Sequence, residues 1–144
     1  MNIRNATYHD APAIKLLLEA LGHKTSNSLL VNQLETIFSN GDNQVFVYEL
    51  RKEVVGFASV HYLPQLAFDE GVIIISNFSV DESVQYTDVA KQLDEYIEKY
   101  ARLRKCKLIQ VHYMGWRTDA HLFYLQQGYQ EYPQYFTKRL VYGG

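Results

Sequence analysis

The spacing of apolar residues changes repeatedly along the chain, and each change marks an element. Asn2–Thr7 predicts a short strand, after which Asp10 offers a helix N-cap ahead of Ala11-Pro12. Ile14, Leu17, Leu18 and Leu21 form one helical stripe, and Gly22 ends it. A second helix is expected after Ser26, carrying Leu29, Leu30, Leu34, Ile37 and Phe38, with Asn40-Gly41-Asp42-Asn43 as its closing turn. From Gln44 the period becomes that of a strand: Val45–Leu50 and Val54–Leu63 predict an antiparallel hairpin joined by Arg51-Lys52-Glu53. Pro64 ends the second of these strands, and Gln65–Glu70 is expected to be a loop. Gly71 then leads into Val72–Val80, a run apolar on both faces and so expected to be a central strand. After the segment Asp81–Asp88, the residues Val89, Leu93, Tyr96, Ile97, Tyr100 and Leu103 share one face of a long helix. A strand over Lys107–Tyr113, a short helix ending at Gly128, and one or two strands across Tyr129–Tyr142 complete the chain.

The predicted order is β-α-α-β-β-β-α-β-α-β-β. It places the chain in the α/β class, with a mixed central sheet flanked by helices on both faces. At 144 residues and 47% hydrophobic composition, residues 1–144 are expected to form one cored domain. A net charge of −2 with both signs interspersed gives no basic field for nucleic acid. No apolar run reaches the roughly 18 to 20 residues of a membrane span, and the N-terminus lacks a signal-peptide pattern, so no membrane partner and a cytoplasmic location are expected. The single cysteine, Cys106, has no metal-ligand partner at zinc-site spacing; no metal site is expected, and the thiol reads as a small core residue.

Candidate chemistry concentrates in Arg117-Thr-Asp-Ala-His-Leu-Phe-Tyr-Leu-Gln-Gln-Gly-Tyr129. At helical spacing Arg117, Ala120 and Tyr124 fall on one stripe with Phe123 beside it, which puts one phenol on an otherwise packed face. Taken alone, Phe123 and Tyr124 read first as core aromatics. The pattern R-x-x-A-H-x-F-Y-x-x-x-G-Y, followed by Phe136-Thr-Lys-Arg-Leu140, resembles the last block of the GNAT acyltransferases, the acetyl-CoA-dependent N-acetyltransferase superfamily. The similarity runs from Ile3 to Leu140 and is greatest to the small-amine branch that includes aminoalkylphosphonate N-acetyltransferases.

That resemblance implies the GNAT fold and transfer of acetyl from acetyl-CoA, as cosubstrate, to a primary amine of a small molecule by direct attack. It leaves a homodimer open. It makes Tyr124 the general acid that protonates the leaving thiolate, with Arg117, Ala120 and Phe123 beside the cofactor. It also implies a thioester carbonyl held by a central-strand N–H within Phe78, Ser79 and Val80. The coenzyme A pyrophosphate would be held by the turn Gln85-Tyr86-Thr87-Asp88-Val89-Ala90, at a helix N-terminus whose free N–H groups suit an anion.

Two stretches depart from the family pattern. Asp88 stands where a glycine is expected, so its charge either opposes the diphosphate, turns to solvent, or caps the helix itself. On the central strand, Ser76 and Asn77 stand where many relatives carry a glutamate base. His61, His112, His121, Glu70 or a chain of water molecules are left to take the amine proton. The amine is expected over the strand ends, bordered by His23-Lys24-Thr25 and by Pro64–Gly71. The rival from another class is a non-catalytic module of the same fold that binds a ligand or protein through a degenerate cofactor turn.

Overall fold

A computed structural model of the chain describes residues 2–84, 86–112, 118–131 and 136–143, without the side chains of residues 86, 87, 118 and 119. Two compact units are present, Met1–Met114 and Gly115–Gly144. The first holds β1 (Ile3–Asn5), α1 (Ala11–Ala20), α2 (Asn27–Phe38), β2 (Asn43–Leu50), β3 (Glu53–Leu63), β4 (Val72–Val80), α3 (Tyr86–Leu103) and β5 (Leu108–Val111). The second holds α4 (Thr118–Gln126). The five strands form one mixed sheet in the order β1-β2-β3-β4-β5, antiparallel except for the parallel pair β4–β5.

The sheet is covered on both faces. On one, Ile14 and Leu17 of α1 and Leu30 and Leu34 of α2 cluster with Val45, Val47 and Phe57. On the other, Phe46 meets Tyr96 and Tyr100 of α3 edge to face, with ring centroids 5.0 and 5.4 Å apart. Val89, Ala90, Leu93 and Ile97 of α3 are buried, whereas Leu103, expected on the same face, is 83% exposed in the helix's final turn. Leu29, at the start of α2, is likewise half exposed.

Three helices end in the same hydrogen-bonded cap. At α1, Gly22 is left-handed (φ 92°), its N–H bonds Glu19 O, and the next N–H, of His23, bonds Leu18 O. The third case, α3, reaches the same geometry with Lys105 (φ 56°) rather than glycine: Lys105 N–H bonds Arg102 O, and Cys106 N–H bonds Ala101 O. The Arg51–Lys52 hairpin turn is also left-handed at both residues without a glycine. A left-handed lysine or arginine carries a steric cost of roughly 1–2 kcal/mol that glycine would avoid. At the cap two backbone bonds offset it, and at the hairpin the twist suits the flanking strands.

Several expectations require correction. Strands β2 and β3 begin at Asn43 and Glu53, slightly before the predicted starts, and β5 ends at Val111 rather than Tyr113. The strands expected across Tyr129–Tyr142 are absent among the described residues, and 132–135 lie outside them. Phe136, Leu140, Val141 and Tyr142 are largely exposed, and a strand-like composition has no force where no ladder forms. Cys106 is half-buried rather than a core residue; its thiol pKa is raised by burial, against a smaller opposing effect of Arg104, which leaves it a poor nucleophile.

Asp10 occupies the predicted cap position of α1 but makes no side-chain cap bond there. Its carboxylate instead accepts from Thr7 N–H (2.8 Å) and from both terminal nitrogens of Arg4 (2.8 and 2.9 Å), joining β1 to the turn before α1. These bonds, Arg4's first, hold the carboxyl below its ordinary pKa of 3.8 against the opposing effect of burial. The stabilisation is therefore present above about pH 4 and is lost as pH falls through the depressed folded-state value. Arg4→Met should cost about 1–3 kcal/mol at pH 7 by leaving a buried charge short of donors, and the deficit should shrink toward pH 3. Urea denaturation at both pH values checks this, and equal stabilities at pH 7 would contradict it.

Candidate active site

Strand β4 carries the central features, because its pairing with β3 slips by one residue. Ser59 pairs with Asn77 but Val60 pairs with Ile75, leaving Ser76 as an extra residue in β4. The parallel ladder with β5 ends at the same place, at Ile75↔Val111, while β4 continues from Ser76 to Val80. Phe57, in the α1/α2 core, sets the face of Ser59 and His61 by strand alternation, and the bond from Ser79 Oγ to Leu17 O (3.1 Å) places Ser79 and hence Asn77 on that face too. A polar strip therefore crosses this side of the sheet beyond the apolar cluster.

His61 is its most connected member. Its Nδ1 lies 2.8 Å from Asn43 Oδ1, and its Nε2 lies 2.7 Å from Ser76 Oγ. A carboxamide oxygen can only accept, so Nδ1 carries the hydrogen and the Nε2 lone pair takes the Ser76 hydroxyl. Burial, and then the electrostatic effect of His112 just past β5, push the imidazole below its ordinary 6.5, which favours its neutral form at pH 7. Ser76 Oγ has a second acceptor within reach, Ser59 O at 3.4 Å. His61, Ser76 and Asn77 are each half-buried, so solvent reaches the strip. Near its His61 end β3 runs out at Leu63 into the loop that was expected to border the amine.

At the far end, β4 passes into α3. Asp81 N–H bonds Val55 O (2.8 Å), and Asp81 Oδ1 accepts from Ser83 N–H (2.9 Å) in a tight turn. Gly56 packs closely at this junction: a Cβ there would stand a tight 3.3 Å from Val80 Cγ2 and in ordinary contact, 3.6 Å, with Val89 Cγ1. Phe78, Ser79 and Val80 are buried at the end of β4, and Val89 and Ala90 face the core. Asp88 lies within the first turn of α3, which begins at Tyr86, so it is not the N-cap; it is exposed and its charge suits the helix dipole. Tyr86, Thr87 and Asp88 are the described residues whose N–H groups have no helix carbonyl four residues earlier to bond. Those donors, on an 18-residue helix, fit a diphosphate, and the Asp88 carboxylate opposes one. Gln85 lies outside the described residues.

In the second unit, α4 ends as α1 does. Gly128 (φ 93°) sends its N–H to Leu125 O (3.2 Å), and Tyr129 N–H bonds Tyr124 O (3.0 Å). The Tyr124 ring meets those of Phe123 and Tyr129 edge to face, each with centroids 5.5 Å apart. Phe123 and Tyr124 are buried and Ala120 half-buried; Arg117 lies outside the described residues. The cap thus fixes the backbone of Tyr124 through its own carbonyl, and two rings fix its side chain. His121 Nε2 lies 3.7 Å from Glu131, so that histidine has a carboxylate partner.

Sequence reasoning named His61, Ser76 and Asn77 singly. It missed their joining, because the slip that joins them arises from pairing between strands. It also missed Asn43, which stands opposite His61 in the β2–β3 register, and Gly56. The Asn40-Gly41-Asp42-Asn43 turn signal had hidden Asn43's place as the first residue of β2. Among the described residues no group of three histidine, cysteine or acidic side chains is placed to hold a metal, and no helix is long and apolar enough to cross a membrane.

Comparison with known proteins agrees with this architecture. The acetyltransferase (GNAT) family pattern matches residues 9–129. No curated protein matches the chain. Among solved structures, a transcriptional regulator from Bacillus halodurans C-125 is 21% identical, with 97% of this chain and 98% of that one covered and a TM-score of 0.81. An aminoglycoside acetyltransferase from an uncultured soil metagenomic sample is 21% identical over 96% of this chain and 95% of that one, at a TM-score of 0.79. A ribosomal-protein-alanine N-acetyltransferase from Brucella melitensis biovar Abortus 2308 is 15% identical, with coverages of 96% and 97% and a TM-score of 0.79. At these identities the structures share a fold with the chain, and their names show how widely that fold's duties range.

Proposed function

The chain belongs to the acetyltransferase (GNAT) family, and on that premise we propose that it moves acetyl from acetyl-CoA to a primary amine of a small molecule by direct attack. The observation that carries this reading is the extent of the family match, residues 9–129, which takes in both the β4–α3 junction and the Phe123–Tyr124 pair. Acetyl-CoA supplies the activated acyl group and a thiolate leaving group. The first-turn N–H groups of α3 hold its pyrophosphate, and a β4 N–H within Phe78–Val80 polarises the carbonyl. Tyr124, with its backbone tied by the cap of α4 and its ring by Phe123 and Tyr129, gives its phenolic proton to the thiolate. Arg117, Ala120 and Phe123 line the cofactor's course in this reading.

The amine lies along the polar strip of β3 and β4. Aminoalkylphosphonates, on the sequence resemblance, are the first acceptors to try, followed by aminoglycosides, the class named for one of the similar structures. Mass spectrometry of a pooled amine library incubated with protein and acetyl-CoA should reveal a product 42 Da heavier, the mass of a transferred acetyl less one hydrogen. Absence of any such product, together with no thermal stabilisation by millimolar acetyl-CoA, would favour the non-catalytic module with a degenerate cofactor turn, a reading that the Asp88 charge in the first turn of α3 supports.

Tyr124→Phe keeps the ring contacts and removes the proton donor. Turnover should fall roughly ten- to a thousandfold with little loss of stability, and turnover at the wild-type rate would remove Tyr124 from the acid role. Asp88 is exposed, so its repulsion of a diphosphate is screened and worth about 0–1 kcal/mol. Asp88→Gly should therefore tighten coenzyme A by up to about fivefold, with the gain shrinking as salt is added. Calorimetric titration at two salt concentrations measures it, and a salt-independent gain would indicate a steric cause.

A further inference from the structure

We propose that Ser76 and His61 form a proton relay that takes the proton of the attacking amine, in place of the carboxylate base that this strand lacks. The inference rests on the acetyl-transfer reading for its reaction, and on the geometry of β2, β3 and β4 for its parts. The Ser76 hydroxyl is the group that meets the amine, and His61 acts through it. Three observations select this pair. The extra residue in β4 brings Ser76 Oγ to 2.7 Å from His61 Nε2 across the β3–β4 pair. Asn43 Oδ1, 2.8 Å from Nδ1, fixes the tautomer that leaves Nε2 as acceptor. Ser59 O, 3.4 Å from Ser76 Oγ, offers the hydroxyl hydrogen a second direction once His61 is protonated.

Both protonation states of the relay are thus satisfied. In the neutral state the Ser76 O–H donates to Nε2. In the charged state Nε2–H donates to Ser76 Oγ, and Ser76 O–H turns to Ser59 O, while Nδ1–H stays on Asn43. During transfer the amine lone pair forms the N–C bond, and the C–S bonding pair leaves with sulfur, which takes the Tyr124 proton. The nitrogen releases its proton to Ser76 Oγ as the serine's own hydrogen moves to His61 Nε2. The imidazolium then yields its proton to solvent at the half-buried strip, and solvent restores Tyr124, so protons and electrons balance.

The groups facing the imidazole keep it in the neutral form that can accept a proton. Asn43 on β2 and Ser76 on β4 are neutral, and Asp42 is engaged by Arg104 at 2.9 Å. His112, past β5, acts against a charge on His61, which speeds release of the proton once accepted.

The test combines NMR with kinetics. Imidazole nitrogen shifts in the protein without cosubstrate should show His61 with Nδ1 protonated and Nε2 bare at pH 7, titrating below 6.5. A protonated Nε2 at that pH would overturn the relay. In the acetylation assay wild type should remain active down to about pH 6.5. Ser76→Ala and His61→Gln should lose about a hundredfold at pH 7 and recover toward pH 9, where more of the amine is already neutral. Ser76→Thr, which keeps the hydroxyl, should restore the wild-type profile. Product from wild type with an unchanged pH profile in Ser76→Ala overturns the relay alone; no product from wild type at any pH overturns the acetyl-transfer reading and the relay with it.

Discussion

The one-residue slip between β3 and β4 is the constraint on which the site depends. It adds Ser76 to one strand without adding a residue to its partner, and an extra residue in a ladder re-aims the side chains around it. Had β4 kept an unbroken register, Ser76 and Asn77 would face opposite sides of the sheet. With the slip, Ser76 bonds His61 on the side that holds Asn77 and Ser79. The same stretch is where β4 outruns its ladder with β5 and heads for the α3 junction. A local departure from regular pairing thus sets both the polar strip and the course of the strand toward the N-terminus of α3.

Around this strand the fold is held by ties that leave the strip open. Arg4 and Asp10 anchor β1 to the start of α1, and Arg104 at the end of α3 binds Asp42 while lying 4.0 Å from the Tyr62 ring centre. Polar groups along the strip bond mainly to one another or, for Ser79, to the carbonyl of Leu17. The polar strip and these stabilising ties therefore draw on different residues of the same sheet, which permits substitution at Ser76 or His61 without removing the core.

Much of the fold was legible because its signals are local. Val72–Val80 was bounded at both ends, by Gly71 and by the acidic turn after Val80, and its two-sided apolar run marked an interior strand. Gly22 and Gly128 announced two helix ends because only glycine adopts a left-handed backbone without cost. The equivalent end of α3 was obscured because Lys105 adopts that conformation against its preference. Asp10 misled because the carboxylate of a good cap residue found a stronger partner in Arg4. The strands after Tyr129 misled because apolar alternation states a preference and not a pairing partner. In the site, residue identities were legible and their grouping was not, since the β4 slip and the Asn43–His61–Ser76 chain exist only across strands distant in sequence.

The β4–α3 junction is proposed to receive the acetyl donor. An amide NMR titration of the whole chain with acetyl-CoA tests it without needing the acceptor amine. The account predicts saturable shifts at Phe78, Ser79 and Val80 and in the first turns of α3, from Tyr86 to Ala90, with Arg4 to Asp10 undisturbed. No shifts at millimolar acetyl-CoA, or shifts confined to residues away from that junction, would contradict it.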